Sequence, residues 1–226
     1  MRPKGFLLDM NGTFMFGHDR FGPGEDFFAT YQALGGGRLS ATVVERAIRS
    51  THAGMAADYA DPRRVDAFPS LAHAMERHAG AAEGEIAALE RVFAAHELGR
   101  VPPPFADCLR RLSLSHPLGV VSNIWARKEP WLRHFEEVGL AQIWRTLVFS
   151  SDTDSIKPSP LLFRRAIAEL GLAPAHILFV GDSLEADILP AKALGMGTAW
   201  VGAAAQPHPS ADWTGASLIE LEAALA

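Results

Sequence analysis

Reactive side chains follow four short apolar runs of this chain, some directly at the end of the run and others up to eight residues after it. They are Asp9, Ser122 with Asn123, Lys157, and Asp182 with Asp187. Carboxylates serve as nucleophiles or as ligands of hard cations in proteins. Taken singly, each residue has an ordinary explanation as a turn residue, a helix cap or a solvated loop side chain. Together they predict one site, because open α/β sheets bind ligands at the carboxyl ends of their strands.

The elements that would position these residues form a predicted parallel sheet with helices. Continuous apolar runs are typical of strands that are buried on both faces. Five such runs are predicted strands, at residues 5–8, 118–121, 146–149, 177–180 and 198–201. Helical patterns accompany the last four runs, at residues 105–114, 129–138, 161–170 and 186–194. The alternation predicts the α/β class, with a doubly wound parallel sheet.

A long segment between the first two runs has no strand pattern. Helices are predicted in it at residues 26–34, 41–52, 70–78 and 83–98. The simplest interpretation is an all-helical cap inserted after the first strand. The predicted domains are therefore a core of residues 1–14 and 101–226 and a cap of residues 15–100.

Composition excludes several classes of protein. The chain has 226 residues and a net charge of -5, and this mild acidity argues against a nucleic-acid partner. No run approaches the ~20 apolar residues of a membrane span, and the first run is too short for a signal peptide. The single cysteine, Cys108, excludes an intrachain disulfide and favours a reducing compartment. We therefore expect a soluble cytoplasmic protein that is a monomer or a homodimer.

Four motifs, in this order, resemble those of the haloacid dehalogenase-like (HAD) hydrolase superfamily. They are Asp9-Met10-Asn11-Gly12-Thr13, Val121-Ser122-Asn123, Ile156-Lys157-Pro158 and Gly181-Asp182-Ser183-Leu184-Glu185-Ala186-Asp187. The resemblance covers residues 1–13 and about 100–205, and the helical insertion has the cap position of the same superfamily. It implies a Rossmann-like core and, in the helical-cap phosphatase-like branch, a Mg²⁺-dependent hydrolase of a small phosphorylated metabolite.

The resemblance also implies a role for each motif residue. Asp9 would attack phosphorus and carry an aspartyl phosphate, with Mg²⁺ offsetting the repulsion between carboxylate and phosphate. The implied metal ligands are Asp9, the backbone carbonyl of Asn11, Asp182 and Asp187. The implied catalytic residues are Asp9, Asn11, Ser122 and Lys157. The implied phosphate-binding residues are Thr13, Ser122, Asn123 and Lys157.

Asn11 departs from the phosphatase pattern, which has Asp at this position to protonate the leaving oxygen and activate water. General acid–base catalysis contributes ~10²–10⁴-fold, so a phosphatase with Asn11 should be slow by that factor. Four interpretations follow: a weak phosphatase, an enzyme for substrates with good leaving groups, a phosphate-binding pseudoenzyme, or an engineered substitution. Because Gly12 follows Asn11, deamidation to Asp is a further hypothesis, which intact-mass measurement tests.

Two other branches of the superfamily offer alternatives. A metal-free haloacid dehalogenase would not need the carboxylate of Asp182, and no arginine follows the first motif directly; Arg20 is the nearest and is better explained as a surface or hinge residue. A phosphonatase would use a lysine of the cap, but residues 15–100 contain no lysine.

Residues of the predicted cap set substrate choice in this interpretation. His18 is a candidate substitute acid, although a lone loop histidine is more often solvated. Arg49, His52, Arg63 and Arg64 are candidates for an anionic substrate tail, against the same ordinary alternative. The aromatic residues Phe27, Phe28 and Tyr31 are predicted cap core, and Trp125, Trp131 and Trp144 are predicted to pack in the core or at a subunit contact.

Overall fold

The sheet is built around the first apolar run of the sequence. The structure, a computed structural model, describes residues 3–81, 83–202 and 205–225. Its strands are β1 (Gly5–Leu8), β2 (Leu118–Ser122), β3 (Trp144–Phe149), β4 (Ile177–Gly181), β5 (Gly197–Val201) and β6 (Trp213–Gly215). They lie in the order β3-β2-β1-β4-β5-β6, and every pairing is parallel. The predicted doubly wound parallel sheet is confirmed.

The order of the strands places a crevice beside β1. The chain moves from β1 to β2 and β3 on one side, and then crosses to β4 on the other side. Ligands of open α/β sheets bind where the strand order reverses in this way. Asp9 follows β1 and Asp182 follows β4, and the Asp9 N–H donates to the carbonyl of Val180 at 2.8 Å. The reversal therefore brings the two carboxylates to one point.

The sequence patterns located five of the six strands to within two residues. The sixth, β6, was missed because its three residues are half-buried and form no apolar run. The predicted helix at 186–194 also differs: a π-helical turn at Leu184–Ile188 precedes a short helix α8 (Leu189–Ala193).

Both faces of the sheet are covered by helices, so that side chains of one strand enter two separate cores. Phe6 and Leu8 belong to one apolar cluster, and Leu7 belongs to the other. The remaining core helices are α5 (Pro103–Ser113), α6 (Glu129–Glu137), α7 (Pro160–Leu170) and α9 (Leu218–Leu225). Helices α5, α6 and α9 contribute buried side chains to the first cluster, and α7 and α8 to the second. This two-sided cover explains why β1 is apolar at every position.

In the described part of the chain, four α-helices stand between β1 and α5, as predicted. They are α1 (Phe27–Ala33), α2 (Ala41–Ala60), α3 (Leu71–Ala79) and α4 (Glu83–Glu97). Helix α2 continues eight residues beyond its predicted end, because residues 53–60 are rich in alanine and the first breaker is Pro62. Phe27 and Tyr31 are buried between these helices, and Phe28 is partly buried. The division of the chain into a core and a cap stays a prediction. The predicted domains also include residues 1, 2, 82, 203, 204 and 226, which lie outside the described residues.

Two crossings join the inserted helices to the sheet, and they are tied to each other. Phe16 and Arg100 exchange backbone hydrogen bonds of 2.9 and 2.8 Å between the outgoing and returning segments. The Arg20 guanidinium donates to the carbonyls of Gly17 and Leu98 at 2.7 and 2.9 Å. Arg20 thus joins the two crossings. Within the described ranges, no helix has the length and apolar character needed to cross a membrane.

Candidate active site

Asp9 and Lys157 form a buried ion pair at the crevice beside β1. Lys157 Nζ lies 2.6 Å from Asp9 Oδ1 and 2.6 Å from Asp187 Oδ1. Ser122 Oγ donates to Asp9 Oδ1 at 3.0 Å, whereas Asp9 Oδ2 receives a longer contact of 3.4 Å from Thr13 Oγ1. The first oxygen is therefore held by two donors, and the second is the less engaged of the two. Five of the predicted site residues meet directly in this network.

Asn123 positions the lysine rather than facing the carboxylates. Its Oδ1 accepts from the Lys157 backbone N–H at 2.8 Å, and its Nδ2 donates to the Lys157 carbonyl at 3.3 Å. The same Nδ2 lies 3.0 Å from the Tyr59 hydroxyl. The loop after β3 is thereby fixed to the end of β2, with a cis peptide between Lys157 and Pro158.

Asp182 completes a group of three carboxylates with Asp9 and Asp187. One oxygen of each lies within 4.8 Å of the others. Two glycines permit this approach: a Cβ at Gly12 would overlap the Asp182 carboxylate, and a Cβ at Gly181 would overlap Asp187. Gly12 also has a φ of 80°, which glycine adopts without strain. The turn after β1 and the turn after β4 can therefore close on the same point.

Burial shapes the charges of this group. Burial raises the pKa of Asp182 to about 6, and the nearby charge of Asp9 adds to the shift. Burial likewise raises the pKa of Asp187 to about 7, against the opposing effect of Lys157. Burial alone would lower the pKa of Lys157, but Asp187 and Asp9 outweigh it and hold that pKa above its ordinary value. The lysine is therefore charged at neutral pH, while the carboxylates need more positive charge than one lysine supplies.

The donor set fits a hard divalent cation. Three carboxylates supply the oxygen ligands that Mg²⁺ prefers, and close carboxylates of this kind are stabilised by a cation between them. The side-chain Oδ1 of Asn11 is buried without a hydrogen-bond partner among the described residues. Asn11 lines the same cleft as the three carboxylates, so its oxygens lie near the group.

These residues lie in a cleft of about 370 Å³. The strand ends provide one wall, which includes Asp9, Asn11, Ser122, Asn123, Lys157, Asp182 and Asp187. The other wall is formed by His18, Asp19, His52, Tyr59, Glu97 and Trp125. Thr13 is absent from this lining and borders a neighbouring cavity, so it reaches the site through its contact with Asp9.

The second wall contains residues that the sequence did not single out. No motif marks Asp19, Tyr59 or Glu97, and the sequence predicts that Trp125 packs in the core or at a subunit contact. The position of Trp125, two residues after Asn123, was a usable signal, since residues just after a strand end face the site. Three of the four candidates for an anionic tail lie outside the cleft lining: Arg49 pairs with Glu45, Arg63 with Asp61, and Arg64 with Asp58.

Glu97 fixes this second wall to the loop after β2. Its two carboxylate oxygens accept from the backbone N–H groups of Trp125 and Ala126, at 2.5 and 2.8 Å. Burial raises the pKa of Glu97 to about 8, although the two N–H donors oppose the shift. The end of α4 is thus held against the end of β2 by one buried carboxyl.

Comparison with known proteins assigns the chain to a family. The chain belongs to the haloacid dehalogenase-like hydrolase family, whose model matches residues 3–195. Pyrimidine 5'-nucleotidase YjjG of Escherichia coli is 30% identical over 124 residues, which are 53% of this chain and 54% of that protein. Phosphoserine phosphatase of Thermus thermophilus is 33% identical over 70 residues, 31% of this chain and 28% of that protein. The matches span about half or less of these curated relatives.

Solved structures extend the similarity of fold to the whole chain. A HAD phosphatase from Thermococcus onnurineus has a TM-score of 0.65 at 22% identity, covering 100% of this chain and 98% of that chain. A 2-haloacid dehalogenase from Pseudomonas syringae has a TM-score of 0.67, also at 22% identity, with coverage of 100% and 98%. The Rossmann-like HAD fold is therefore shared by proteins of both activities, and the choice between them depends on the site.

Proposed function

We propose that this chain is a Mg²⁺-dependent phosphatase that hydrolyses a phosphomonoester through a phosphoryl group carried on Asp9. The observation that carries the proposal is the group of three carboxylates with Lys157 between two of them. A metal-free attack on carbon has no use for the third carboxylate, Asp182. The curated relatives named above are phosphatases or nucleotidases by name, which supports the same choice.

In this proposal the strand ends hold both reactants. Mg²⁺ would be held by Asp9, Asp182, Asp187 and the backbone carbonyl of Asn11, and it would neutralise the charge of the phosphate. Lys157 and Ser122 fix Asp9 and bind phosphate oxygens, with Thr13 holding the second Asp9 oxygen and Asn123 holding the lysine loop. The work of these residues is positioning and electrostatic stabilisation.

The reaction then has two displacements. A carboxylate oxygen of Asp9 forms a bond to phosphorus, while the bond from phosphorus to the substrate alcohol breaks and the alcohol takes a proton from water. Water then attacks phosphorus and gives a proton to the hydroxide that the first step left in the solvent, while the phosphoryl bond to Asp9 breaks and inorganic phosphate leaves. Asn11 has no titratable proton for either step, so we propose slow turnover.

Hydrolysis of an aryl phosphate tests the proposal. The native chain should release phosphate with Mg²⁺ and stop when a chelator is added, and acid quenching should leave a phosphoryl group on the peptide that contains Asp9. Asp9→Asn should abolish both signals while retaining the native circular dichroism. Metal-independent dehalogenation, or hydrolysis that survives Asp9→Asn, would overturn the proposal.

A second candidate is a phosphate-binding protein that does not turn over. The amide of Asn11 favours it, because the carboxylate expected at that position is the proton carrier of the resembled phosphatases. It predicts phosphate binding with Mg²⁺ but neither phosphate release nor a phosphoryl group on Asp9.

We also propose that helices α1–α4 act as a cap on this cleft. His52 and Tyr59 of α2 line it opposite the strand ends. Access for the substrate would then depend on the two crossings at Phe16 and Arg100.

A further inference from the structure

The wall opposite the strand ends is poor in positive charge. Among the residues that line the cleft in the described part of the chain, Lys157 is the only lysine or arginine, and Asp9 and Asp187 already hold it. Two carboxyl groups, Asp19 and Glu97, belong to the opposite wall. Glu97 is buried against the backbone of Trp125 and Ala126, so Asp19 is the exposed carboxyl group of the pair. A negatively charged leaving group would therefore approach Asp19 with no lysine or arginine in this wall to receive it.

The two histidines of this wall differ in their surroundings. Burial lowers the pKa of His52, which favours the neutral ring at neutral pH. The imidazole of His18 is directed at Asp19, with Nε2 3.7 Å from Asp19 Oδ2. Arg20 follows Asp19 directly but does not line the cleft. Its guanidinium donates to the backbone carbonyls of Gly17 and Leu98.

The same wall offers aromatic surface whose rings are tilted, with the planes of His52 and Tyr59 at 40° and 51° to that of Trp125. The Trp125 ring centroid lies 5.7 Å from that of His52 and 6.0 Å from that of Tyr59. Phe68 and Phe93 support the indole at 6.1 and 6.2 Å. Tyr59 is 40% exposed, and the backbone of Trp125 is fixed by Glu97. Aromatic side chains held in this way favour stacking of a planar ring.

Asp19 is held facing this surface by an unusual backbone. Its φ of 55° is in the left-handed region, and its N–H donates to the Glu97 carbonyl at 3.2 Å. Such conformations in non-glycine residues concentrate at functional sites. The Asp19 side chain is 56% exposed, so beside its 3.7 Å contact with His18 it has free surface for a donor or a positive group on a ligand.

We propose that the substrate is a phosphomonoester whose alcohol half carries a planar unsaturated ring and no negative charge. The ring packs against His52, Tyr59 and Trp125 by stacked and edge-to-face contacts, and Asp19 accepts from an N–H, O–H or ammonium group of the ring. Phosphomonoesters with a second phosphate or a carboxylate on the leaving group are rejected. The inference rests on the proposed function, since it takes the phosphate position from the strand-end wall.

Non-hydrolysable phosphonates test it without requiring turnover. Binding of methylphosphonate, benzylphosphonate, para-carboxybenzylphosphonate and para-(aminomethyl)benzylphosphonate to the full chain is measured by calorimetry with Mg²⁺ at neutral pH. Methylphosphonate reports the phosphate position alone. Benzyl and aminomethylbenzyl compounds should bind at least about tenfold more tightly than the carboxybenzyl compound, because like charges repel across a binding surface.

Variants assign the effect to residues. Asp19→Lys should reverse the preference between the carboxylated and the aminated ring. Asp107→Asn is the matched control, since Asp107 is a similarly exposed carboxylate that pairs with Arg110 away from the cleft. It should leave the affinities for all four phosphonates unchanged. Trp125→Leu should weaken benzylphosphonate and leave methylphosphonate unchanged, which also shows that the variant is folded.

The outcomes separate this inference from the proposed function. If methylphosphonate binds, but para-carboxybenzylphosphonate and benzylphosphonate bind with equal affinity, the inference is wrong and the proposed function stands. An unchanged preference in Asp19→Lys, or equal loss of both ligands in Trp125→Leu, also overturns the inference. If no phosphonate binds and no phosphate ester is hydrolysed, the proposed function fails first.

Discussion

The two walls of the cleft are built from different material. The strand-end wall consists of buried charged groups joined by short hydrogen bonds, as between Lys157, Asp9 and Asp187. The opposite wall consists mainly of partly exposed side chains, among them Tyr59, which contacts the strand-end wall through a hydrogen bond with Asn123. Its one buried carboxyl group, Glu97, is held by backbone N–H groups. In the proposed function, the chemistry therefore depends on a buried charged network, whereas selection of the leaving group depends on a partly exposed surface in which substitutions cost little stability.

The largest expected effect concerns Asn11, whose amide limits the rate of the proposed hydrolysis. Asn11→Asp should raise the rate of aryl phosphate hydrolysis by ~10²–10⁴-fold, because it restores a proton carrier and keeps the backbone carbonyl. Initial rates with Mg²⁺ measure it. Asn11→Ala, which lacks both amide and carboxyl, should remain at the native rate. A gain in both variants would show that the amide obstructs the site instead.

Removing the central charge of the strand-end wall should affect stability. Lys157→Met leaves Asp9 and Asp187 buried without their cation, and breaking a buried pair in this way costs about 3–5 kcal/mol in the free energy of unfolding. Urea denaturation measures the loss. The matched control is Lys128→Met, which breaks the partly exposed pair of Lys128 with Asp152 and should cost about 0–1 kcal/mol. Equal losses would contradict the contrast between buried and exposed charge.

The carboxyl that joins the walls should make stability depend on pH. The pKa of Glu97 is raised to about 8 in the folded chain from 4.5. The folded state therefore binds the proton more tightly, so this stabilisation is present in full below the unfolded pKa and is lost as pH rises through the folded pKa. The free energy of unfolding of the native chain should fall relative to Glu97→Gln between about pH 5 and pH 8. Urea titrations across that range measure the difference. If the free energy of unfolding depends on pH in the same way in both proteins, the raised pKa of Glu97 is refuted.

The smallest expected effect lies on the exposed wall. Tyr59→Phe removes the hydrogen bond with Asn123 and retains the ring, so the free energy of unfolding should fall by about 1 kcal/mol or less. Affinity for benzylphosphonate should stay within a few-fold of native. A loss as large as that of Lys157→Met would mean that the two walls are one network.

Most residues of the strand-end wall could be predicted from the sequence alone. Apolar runs located β1, β2 and β4, and Asp9, Ser122 and Asp182 follow them directly, so the geometry of a parallel sheet brings them together. The sequence could not find the exposed strand β6, which lacks an apolar run, or the end of α2, where alanines continue the helix.

The opposite wall could be identified only from the folded chain. Tyr59 and Glu97 come from the ends of two helices, Trp125 from a loop after β2, and Asp19 from a crossing segment, and no spacing in the sequence relates these four positions. The same packing engaged Arg49, Arg63 and Arg64 with carboxylates outside the cleft lining. The physical reason is that strand ends are aligned by the backbone hydrogen bonds of the sheet, which local sequence reveals. Helix ends and loops are aligned by side-chain packing over long separations in the chain, which local sequence does not reveal.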